Sequence, residues 1–258
     1  MQHHKFKFSI ITVSLNNAET IVQTIESVLS QEFGSFEYLV LDGGSTDNTL
    51  EILKSYGDKL KWISEPDKGI YNAMNKGWQM AQGEFVAYLN ADDFYNHTQV
   101  LAKMSQTLDS NKLAMAGYGD LAYVESNHTE KIIRYWKTGT YNVSSFLKGW
   151  MPPHPTFFLK REAFEKFGGF RDEILKSAAD YELILRMLFK NKLLAVYCPD
   201  ILVRMRVGGV SNRNFENRIR GNKEDRLAWD LNQLKPFWFT LWLKPLRKVV
   251  QFVQRPSK

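Results

Sequence analysis

The chain has 258 residues, of which 44% are hydrophobic and 24% charged, a balance typical of a soluble globular protein with one large domain. Its formal net charge of +6 lies in the segment from Lys235 to Lys258, which holds six basic residues and no acidic one. Without those six, the 34 basic residues fall to 28 and balance the 28 acidic ones, so we expect no nucleic-acid-binding face.

Strand and helix patterns alternate through the first half of the chain. The predicted strands are FSIITVS (8–14), FEYLVLD (36–42), KWIS (61–64) and GEFVAYLN (83–90), and helical periodicity covers 19–31, 49–56 and 70–81. Strands separated by helices pair in parallel through short crossovers. The pattern therefore predicts an α/β fold with a mainly parallel sheet flanked by helices.

The second half of the chain is less regular. Strand patterns cover 113–124, 131–136 and 193–200, the segment 155–170 predicts a strand and a short helix that a glycine ends, and 177–191 predicts a longer helix. We find no internal repeat and no linker before residue 235, so we predict one domain over 1–234 and a tail over 235–258.

Polar side chains follow each of the four predicted strands of the first half. They are Ser14 and Asn16 after the first, Asp42 after the second, Glu65 and Asp67 after the third, and Asp92 and Asp93 after the fourth. Ligands of parallel sheets bind beyond the carboxyl ends of the strands. A single Asp or Asn at such an end is more often a turn former. Four polar ends at one edge favour a ligand site.

The doublet Asp92–Asp93 directly follows the apolar run 85–89, where two adjacent carboxylates repel each other. Neighbouring side chains point in different directions, so the pair is poorly suited to shared acid–base catalysis. Carboxylate oxygens suit Mg²⁺ or Mn²⁺, which proteins commonly hold together with substrate phosphates. The sequence has neither a GxGxxG motif nor a Walker-type lysine, which excludes the dinucleotide-binding and ATPase modes of phosphate binding.

Several motifs occur in a fixed order between about residues 6 and 213. They are SIITVSLNNAETIVQTIESVLSQ, VLDGGSTDNTLEIL, SEPDKGIYNAMNKGWQMAQGEFVAYLNADD and AADYELILRM. Together they resemble glycosyltransferase family 2, which has a Rossmann-like fold of the GT-A type. EPDKGIYNAMNKG and GGVS resemble the bacterial branch that builds O-antigen and exopolysaccharide units of lipopolysaccharide and related polymers. The resemblance implies a nucleotide-binding half at about 6–95 and an acceptor-binding half at about 96–213.

The resemblance also implies an activity and roles for individual residues. The expected enzyme is inverting and moves a hexosyl or N-acetylhexosaminyl group from a nucleotide diphosphate sugar, with Mn²⁺ or Mg²⁺ as cofactor. Asp180 of AADYEL matches the general base, and its alternative role is a carboxylate that interacts with the helix dipole. Asp42 is expected to contact the base or ribose. Asp92 and Asp93 lie at the DXD position, with Asp93 the foremost candidate for direct metal binding.

For the other candidate residues, a purely structural role is an alternative of similar weight. Donor sugar or diphosphate contacts are predicted for Ser14, Asn16, Lys68, Tyr71, Asn72 and Asn75, although a solvated first helical turn explains the last four equally well. Acceptor or diphosphate contacts are predicted for His154, Arg204 and Arg206, and a loop hydrogen bond is the alternative for His154.

Three positions depart from the family pattern. Leu15 stands where an aromatic residue is usual and cannot stack on a base, which leaves the identity of the base open. Gly43 replaces a frequent second aspartate after the second strand. Asn90 stands at the first position of the DXD motif and removes one formal charge from the metal site.

The tail KPFWFTLWLKPLRKVVQFVQRPSK interleaves cations with aromatic rings, a pattern that suits binding to an anionic membrane surface. This favours a lipid-linked glycan acceptor, while packing on the body or in a homodimer is the alternative. No run approaches the roughly 18 apolar residues of a membrane span. The N-terminal apolar segment is too short for a signal peptide, and the lone Cys198 suits a reducing compartment. We expect a cytoplasmic protein, peripheral at the inner face of the membrane.

Two rival functions remain open from the sequence. A nucleotidyltransferase also uses carboxylate-bound Mg²⁺ on an α/β sheet, but it releases pyrophosphate. A non-catalytic nucleotide-sugar or glycan-binding protein would use the same pocket but would not depend on Asp180.

Overall fold

The computed structural model describes residues 4–207, 215–244 and 251, and no side chain is described for 215–219. The strands are β1 (Phe6–Ser14), β2 (Phe36–Asp42), β3 (Lys61–Ser64), β4 (Gly83–Tyr88), β5 (Phe94–Tyr95), β6 (Ala116–Glu125), β7 (His128–Trp136), β8 (Phe158–Lys160) and β9 (Ala195–Arg206). The helices are α1 (Ile21–Leu29), α2 (Thr49–Ser55), α3 (Ile70–Met80), α4 (Val100–Asp109), α5 (Arg161–Phe167), α6 (Ala179–Ile184) and α7 (Phe215–Leu231).

The nine strands form one sheet in the order β3-β2-β1-β4-β8-β6-β9-β5, with β7 paired to β6. β1 pairs in parallel with both β2 and β4, and β2 pairs in parallel with β3. β8 is antiparallel to both β4 and β6, so it joins the two halves of the sheet. Ser14 lies opposite Asp42, which lies opposite Ser64, so the first three strands end at one edge.

Both faces of the sheet are covered, because alternate residues of β1 enter different cores. Phe8 and Ile10 pack in the core that contains the apolar face of α1 and α4. Ile11 and Val13 pack in the core that contains α3, α5, α6 and the buried Trp229 of α7. Burial on both faces explains why the strand reads as a continuous apolar run rather than an alternating one.

The predicted alternation of the first half is confirmed, with each element boundary within two residues of the prediction. In the second half, β9 runs on to Arg206. The predicted helix over 177–191 divides into α6 and a π-helical segment, Leu185–Lys190. The antiparallel pairs of β8, the short β5 and two helices, α4 and α7, were not predicted.

The structure describes only part of the tail, namely 235–244 and 251; the rest of the predicted tail lies outside the described residues. Residues 240–244 are helical. None of the helices in the described ranges is long and apolar enough to cross a membrane.

Candidate active site

The loop after β2 is organised by Asp42, which is only 1% exposed. Its carboxylate accepts hydrogen bonds from the backbone amides of Gly44 (3.0 Å) and Ser45 (2.8 Å), and from the hydroxyls of Ser45 and Ser64. Four donors satisfy the buried charge and fix the ends of β2 and β3 together. These contacts assign Asp42 a structural role, and its predicted contact with a nucleotide stays a prediction.

The loop after β1 is joined to the same turn through Asn16, whose backbone is left-handed with φ of 54°. The Asn16 amide donates to the Ser45 hydroxyl at 2.7 Å, and its side-chain oxygen accepts from the Thr46 amide at 2.8 Å. Ser14, 7% exposed, lies at the end of β1, and its hydroxyl is 3.4 Å from the Asn17 side-chain oxygen. Asn16 therefore shapes the edge at which a nucleotide is expected.

Leu15 projects from this edge with 57% of its surface exposed. A Cβ atom added to Gly43 would lie 3.6 Å from the Leu15 side chain and 3.6 Å from Asp67 Oδ2. The absence of a side chain at Gly43 therefore leaves a short gap between an apolar group and a carboxylate. Asp67 is held in place by Lys76, whose Nζ lies 2.6 Å from Oδ1. Two of the departures from the family pattern, Leu15 and Gly43, thus meet at one spot.

The two acids of the doublet after β4 lie in different environments. Asp92 is half-buried, whereas Asp93 has no exposed surface. Burial, and secondarily the Asp92 carboxylate, raise the pKa of Asp93 well above its usual value. The Asp93 backbone carbonyl accepts from the Thr24 hydroxyl at 2.7 Å, which attaches the doublet to α1. Asp92 is thus the more accessible of the two carboxylates, and the place of Asp93 as the foremost metal ligand stays a prediction.

Arg206, at the end of β9, lies beside the doublet. Its guanidinium donates to the Asp92 carbonyl and to the Gln23 side chain, and it packs over the Phe94 ring at 5.2 Å. Desolvation lowers the pKa of Arg206, and the nearby Asp92 and Asp93 carboxylates oppose that change. The positive charge of Arg206 and the raised pKa of Asp93 together explain how the fold accepts two adjacent acids.

Arg204 faces a different set of partners. It donates to the Asn96 side chain at 2.6 Å, to the Thr129 carbonyl at 3.0 Å and to the Glu130 carboxylate at 2.8 Å. These contacts join β9 to the β6–β7 hairpin. The Arg204 guanidinium is thus bound to protein groups, and nothing in this geometry supports its predicted contact with a phosphate. Arg206, in contrast, lies beside the acidic doublet.

Asp180 lies in the first turn of α6 and is half-buried. The Tyr71 hydroxyl, from the first turn of α3, donates to Asp180 Oδ1 at 3.0 Å. Burial and the Asp180 charge raise the pKa of Tyr71 well above its usual value, so the phenol keeps its proton and acts as the donor. Tyr71 was predicted as a contact of the donor sugar; the structure makes it the partner of the candidate base.

The amides of Asn72 and Asn75 bind the loop that leads to α6. Asn72 Nδ2 donates to Asp172 at 2.9 Å, and Asn75 Nδ2 donates to Asp172 at 3.0 Å and to the Phe170 carbonyl at 2.8 Å. Both asparagines thus fix this loop, and their predicted contact with the donor sugar stays a prediction. The side chain of Lys68, just before α3, is exposed.

Aromatic contacts connect Asp180 to the end of β4. Phe170 stacks on Tyr71 with ring centroids 5.5 Å apart and meets Tyr88 edge-on at 5.3 Å. Tyr88 is the last residue of β4, two positions before Asn90. The candidate base and the acidic doublet therefore lie at the same end of the sheet.

His154 also packs against Tyr88, with centroids 6.4 Å apart. Burial lowers the pKa of His154, and the Asp180 charge acts in the opposite direction. Its Nε2 atom is buried and has no hydrogen-bond partner among the described residues. A neutral imidazole with a free ring nitrogen near Asp180 suits a contact with a substrate hydroxyl, so the predicted acceptor contact of His154 keeps its place as a prediction.

The donor atoms at the doublet fit a divalent cation that substrate phosphates help to hold. Two buried oxygens, Asn90 Oδ1 and Asp93 Oδ1, have no hydrogen-bond partner among the described residues, and Asp92 adds a half-buried carboxylate. Oxygen ligands of this kind suit Mg²⁺ and Mn²⁺. Within the described ranges, no group of three or more His, Cys, Asp or Glu side chains is placed to hold a metal by itself.

Comparison with known families decides the class of this site. Residues 9–168, more than half of the chain, match the family described as Glycosyl transferase family 2. The chain belongs to glycosyltransferase family 2.

Curated relatives agree with this membership, and solved structures agree with the fold. A PGL/p-HBAD biosynthesis glycosyltransferase of Mycobacterium bovis (strain BCG / Pasteur 1173P2) is 29% identical over 212 residues, which cover 80% of this chain and 79% of the relative. A crystal structure of S. aureus TarS 1–349 with UDP-GlcNAc has a TM-score of 0.66 at 19% identity and covers 88% of this chain and 65% of that chain. The mannosyltransferase PcManGT from Pyrobaculum calidifontis, with GDP-Man and Mn²⁺, has a TM-score of 0.64 at 20% identity and covers 98% and 76%. The predicted GT-A fold of this family 2 member is confirmed.

Proposed function

We propose that this family 2 member is a metal-assisted, inverting glycosyltransferase that moves a hexosyl or N-acetylhexosaminyl group from a nucleotide diphosphate sugar to a lipid-linked glycan. The proposal places the reaction in the synthesis of a surface polysaccharide of the O-antigen or exopolysaccharide type. The single observation that carries it is the Tyr71–Asp180 hydrogen bond at the end of the sheet where the acidic doublet lies.

Asp180 is suited to the role of general base. Tyr71 occupies Oδ1, so we assign Oδ2 to the acceptor hydroxyl, from which it takes the proton as that oxygen attacks the anomeric carbon. Attack from the face opposite the leaving diphosphate inverts the configuration. The hydrogen bond from Tyr71 holds the carboxylate in one orientation.

Asn90, Asp92 and Asp93 are the residues that would hold a divalent cation, with the accessible Asp92 carboxylate as its main charged ligand in this proposal. The cation, when bound, neutralises negative charge on the diphosphate as it leaves. Arg206 holds the Asp92 backbone in place, so the orientation of the Asp92 carboxylate depends on β9 as well as on the loop after β4.

The donor is a nucleotide diphosphate sugar whose base lies near Leu15, Gly43 and Asp67. Structures with the same fold contain UDP, UDP-GlcNAc or GDP-Man, which makes UDP and GDP sugars the first donors to test. A leucine in place of an aromatic ring offers apolar contact without ring stacking.

The exposed aromatic rings of the tail support a membrane-bound acceptor. Phe237, Trp238 and Trp242 are 53%, 84% and 73% exposed, whereas Thr240 between them is fully buried and donates to the Leu147 carbonyl at 2.6 Å. The tail thus has one side bound to the body and an aromatic side directed outwards, as an interfacial segment requires. The proposed location is therefore the inner face of the cytoplasmic membrane, and a second subunit that covers the rings is the alternative.

The function is tested by a thermal-shift screen of UDP and GDP sugars with Mn²⁺, since a ligand that binds only the folded form raises its melting temperature. The donor that stabilises most is then supplied with a lipid-linked acceptor. We expect release of the nucleoside diphosphate and a product whose anomeric configuration, read by NMR, is opposite to that of the donor. Formation of a nucleotide sugar from a nucleoside triphosphate and a sugar 1-phosphate, with release of pyrophosphate, would indicate a nucleotidyltransferase. Binding without turnover would indicate a binding protein.

A further inference from the structure

α7 lies along the segment that carries Asp180 and contacts it at several points. Arg220 donates to the Ser177 hydroxyl at 3.0 Å, and Trp229 Nε1 donates to the Tyr181 hydroxyl at 2.8 Å. These residues belong to a helix that begins 35 positions after Asp180 in the sequence. None of its residues was predicted to contribute to the site. The candidate base is therefore supported from the C-terminal part of the domain as well as from α3.

The densest of these contacts is made by Glu224, which is 8% exposed. Its Oε2 atom accepts from three consecutive backbone amides, those of Lys176 (3.0 Å), Ser177 (2.7 Å) and Ala178 (2.9 Å). Hydrogen bonds to a carboxylate are stronger than neutral ones, and three of them offset the cost of burying the charge. The three amides directly precede α6, so Glu224 fixes the backbone just before Asp180.

The start of α6 lacks a local restraint of its own. Ala178, at the N-cap, offers no side-chain hydrogen bond, and α6 is only six residues long before the π-helical segment begins. A short helix without a cap is marginal by itself. The orientation of Asp180 therefore depends on partners distant in the sequence: Tyr71 for the carboxylate and Glu224 for the backbone.

We propose that Glu224 is a positioning residue for Asp180: it fixes residues 176–178 and thereby the direction in which the Asp180 side chain leaves α6. The inference rests on the proposed function, in which Asp180 is the base. Glu224 itself contacts backbone groups of the protein and no reacting atom, so it acts on the rate of transfer and leaves donor binding unchanged.

The test uses full-length Glu224→Ala and Glu224→Gln, with Asp230→Asn, on an exposed position of α7, as the control for loss of one acidic charge. A donor-binding titration measures the affinity for the donor and the number of binding-competent sites. A single-turnover assay measures the transfer rate for each occupied site. We expect Glu224→Ala to lower that rate between about 10- and 100-fold, as small misplacements of a catalytic group do, with donor affinity within about twofold. Glu224→Gln keeps an acceptor oxygen and should lose less, and Asp230→Asn should match the parent.

A merely structural role gives a different result. Fewer competent sites with an unchanged rate at each occupied site, in either Glu224 variant, would overturn the inference. A second comparison is made in the Asp180→Asn background, where Glu224→Ala should have no further effect on the residual transfer. The same fold loss there as in the parent would mean that Glu224 does not act through Asp180. Normal transfer by Asp180→Asn alone would instead overturn the proposed function, so the two failures are distinguishable.

Discussion

The Tyr71 hydroxyl and Asp180 Oδ1 lie 3.0 Å apart, although 109 positions separate the two residues in the sequence. The contact joins the first turn of α3, in the predicted nucleotide-binding half, to the first turn of α6. It makes the orientation of the candidate base depend on both halves of the domain. The same α3 also holds the loop before α6 through Asn72 and Asn75.

Replacing Tyr71 by phenylalanine should separate orientation of the base from substrate binding. We expect kcat to fall about tenfold and donor affinity to stay unchanged, because the ring remains and only the donor of the hydrogen bond is lost. The free energy of unfolding should fall by about 1 kcal/mol. Tyr56→Phe is the matched control, since the Tyr56 hydroxyl donates to Glu26 at 2.8 Å away from the site. An equal loss of kcat in both variants would contradict the assignment.

The two acids of the doublet should respond differently to neutralisation. Asp92→Asn removes the accessible carboxylate, so the Mn²⁺ concentration that supports half-maximal transfer should rise at least about tenfold. Asp93→Asn changes a buried group and keeps the Oδ1 oxygen, so its Mn²⁺ requirement should rise less than that of Asp92→Asn. Titrations of the transfer rate with Mn²⁺ measure this concentration for both variants, after each variant has been shown to be folded. The reverse order of effects would restore Asp93 as the direct ligand.

The exposed rings of the tail give a sharper membrane test than deletion does, because deletion would also remove the buried Thr240 and its hydrogen bond to the body. Trp238→Ala with Trp242→Ala should weaken partitioning onto vesicles that contain anionic lipid, and leave transfer to a water-soluble acceptor analogue unchanged. Leu113→Ala, at another residue that is 79% exposed, is the control. If partitioning is unchanged but a dimer dissociates, the rings cover a subunit interface instead.

The buried His154 predicts how stability varies with pH. Burial lowers the pKa of His154 below the usual 6.5, so the folded protein keeps the ring neutral while the unfolded chain binds a proton as the pH falls below about 6.5. The free energy of unfolding should therefore decrease on acidification, with a contribution of up to about 1.4 kcal/mol per pH unit from this residue. Denaturant titrations between pH 7 and pH 5 measure the slope.

His154→Gln should show a smaller decrease over the same range, because the residue that protonates only on unfolding is absent. His128→Gln, at an exposed histidine, controls for the loss of a histidine at the surface. Equal slopes for the parent and His154→Gln would show that the ring titrates alike in the folded and unfolded states.

The sequence predicts the strands and helices of the first half of the chain well for a physical reason. Each element there has its own apolar periodicity, and parallel pairing through helices leaves few arrangements. α7 was missed because most of its residues are polar or charged and its buried face rests on a few positions such as Glu224 and Trp229. The β8 pairings were missed because three residues carry little pattern and their partners lie far away in the chain.

The site could be located from the sequence at the level of strand ends, but not at the level of contacts. Asp92 and Asp93 are chemically identical in the sequence, and only the packing of α1 and β9 around them buries one and leaves the other accessible. Likewise, nothing in the sequence indicates that Asp172, about 100 positions away, lies against Asn72 and Asn75. Long-range partners of this kind leave no local signal.

The transfer rate of Asp180→Asn, measured beside its affinity for the donor, tests the account most directly. Asparagine keeps the shape and an acceptor for Tyr71 but cannot take a proton from the acceptor hydroxyl. The account predicts a loss of at least about 100-fold in kcat with donor affinity within about twofold. Transfer within about threefold of the parent, at equal donor affinity, would contradict it.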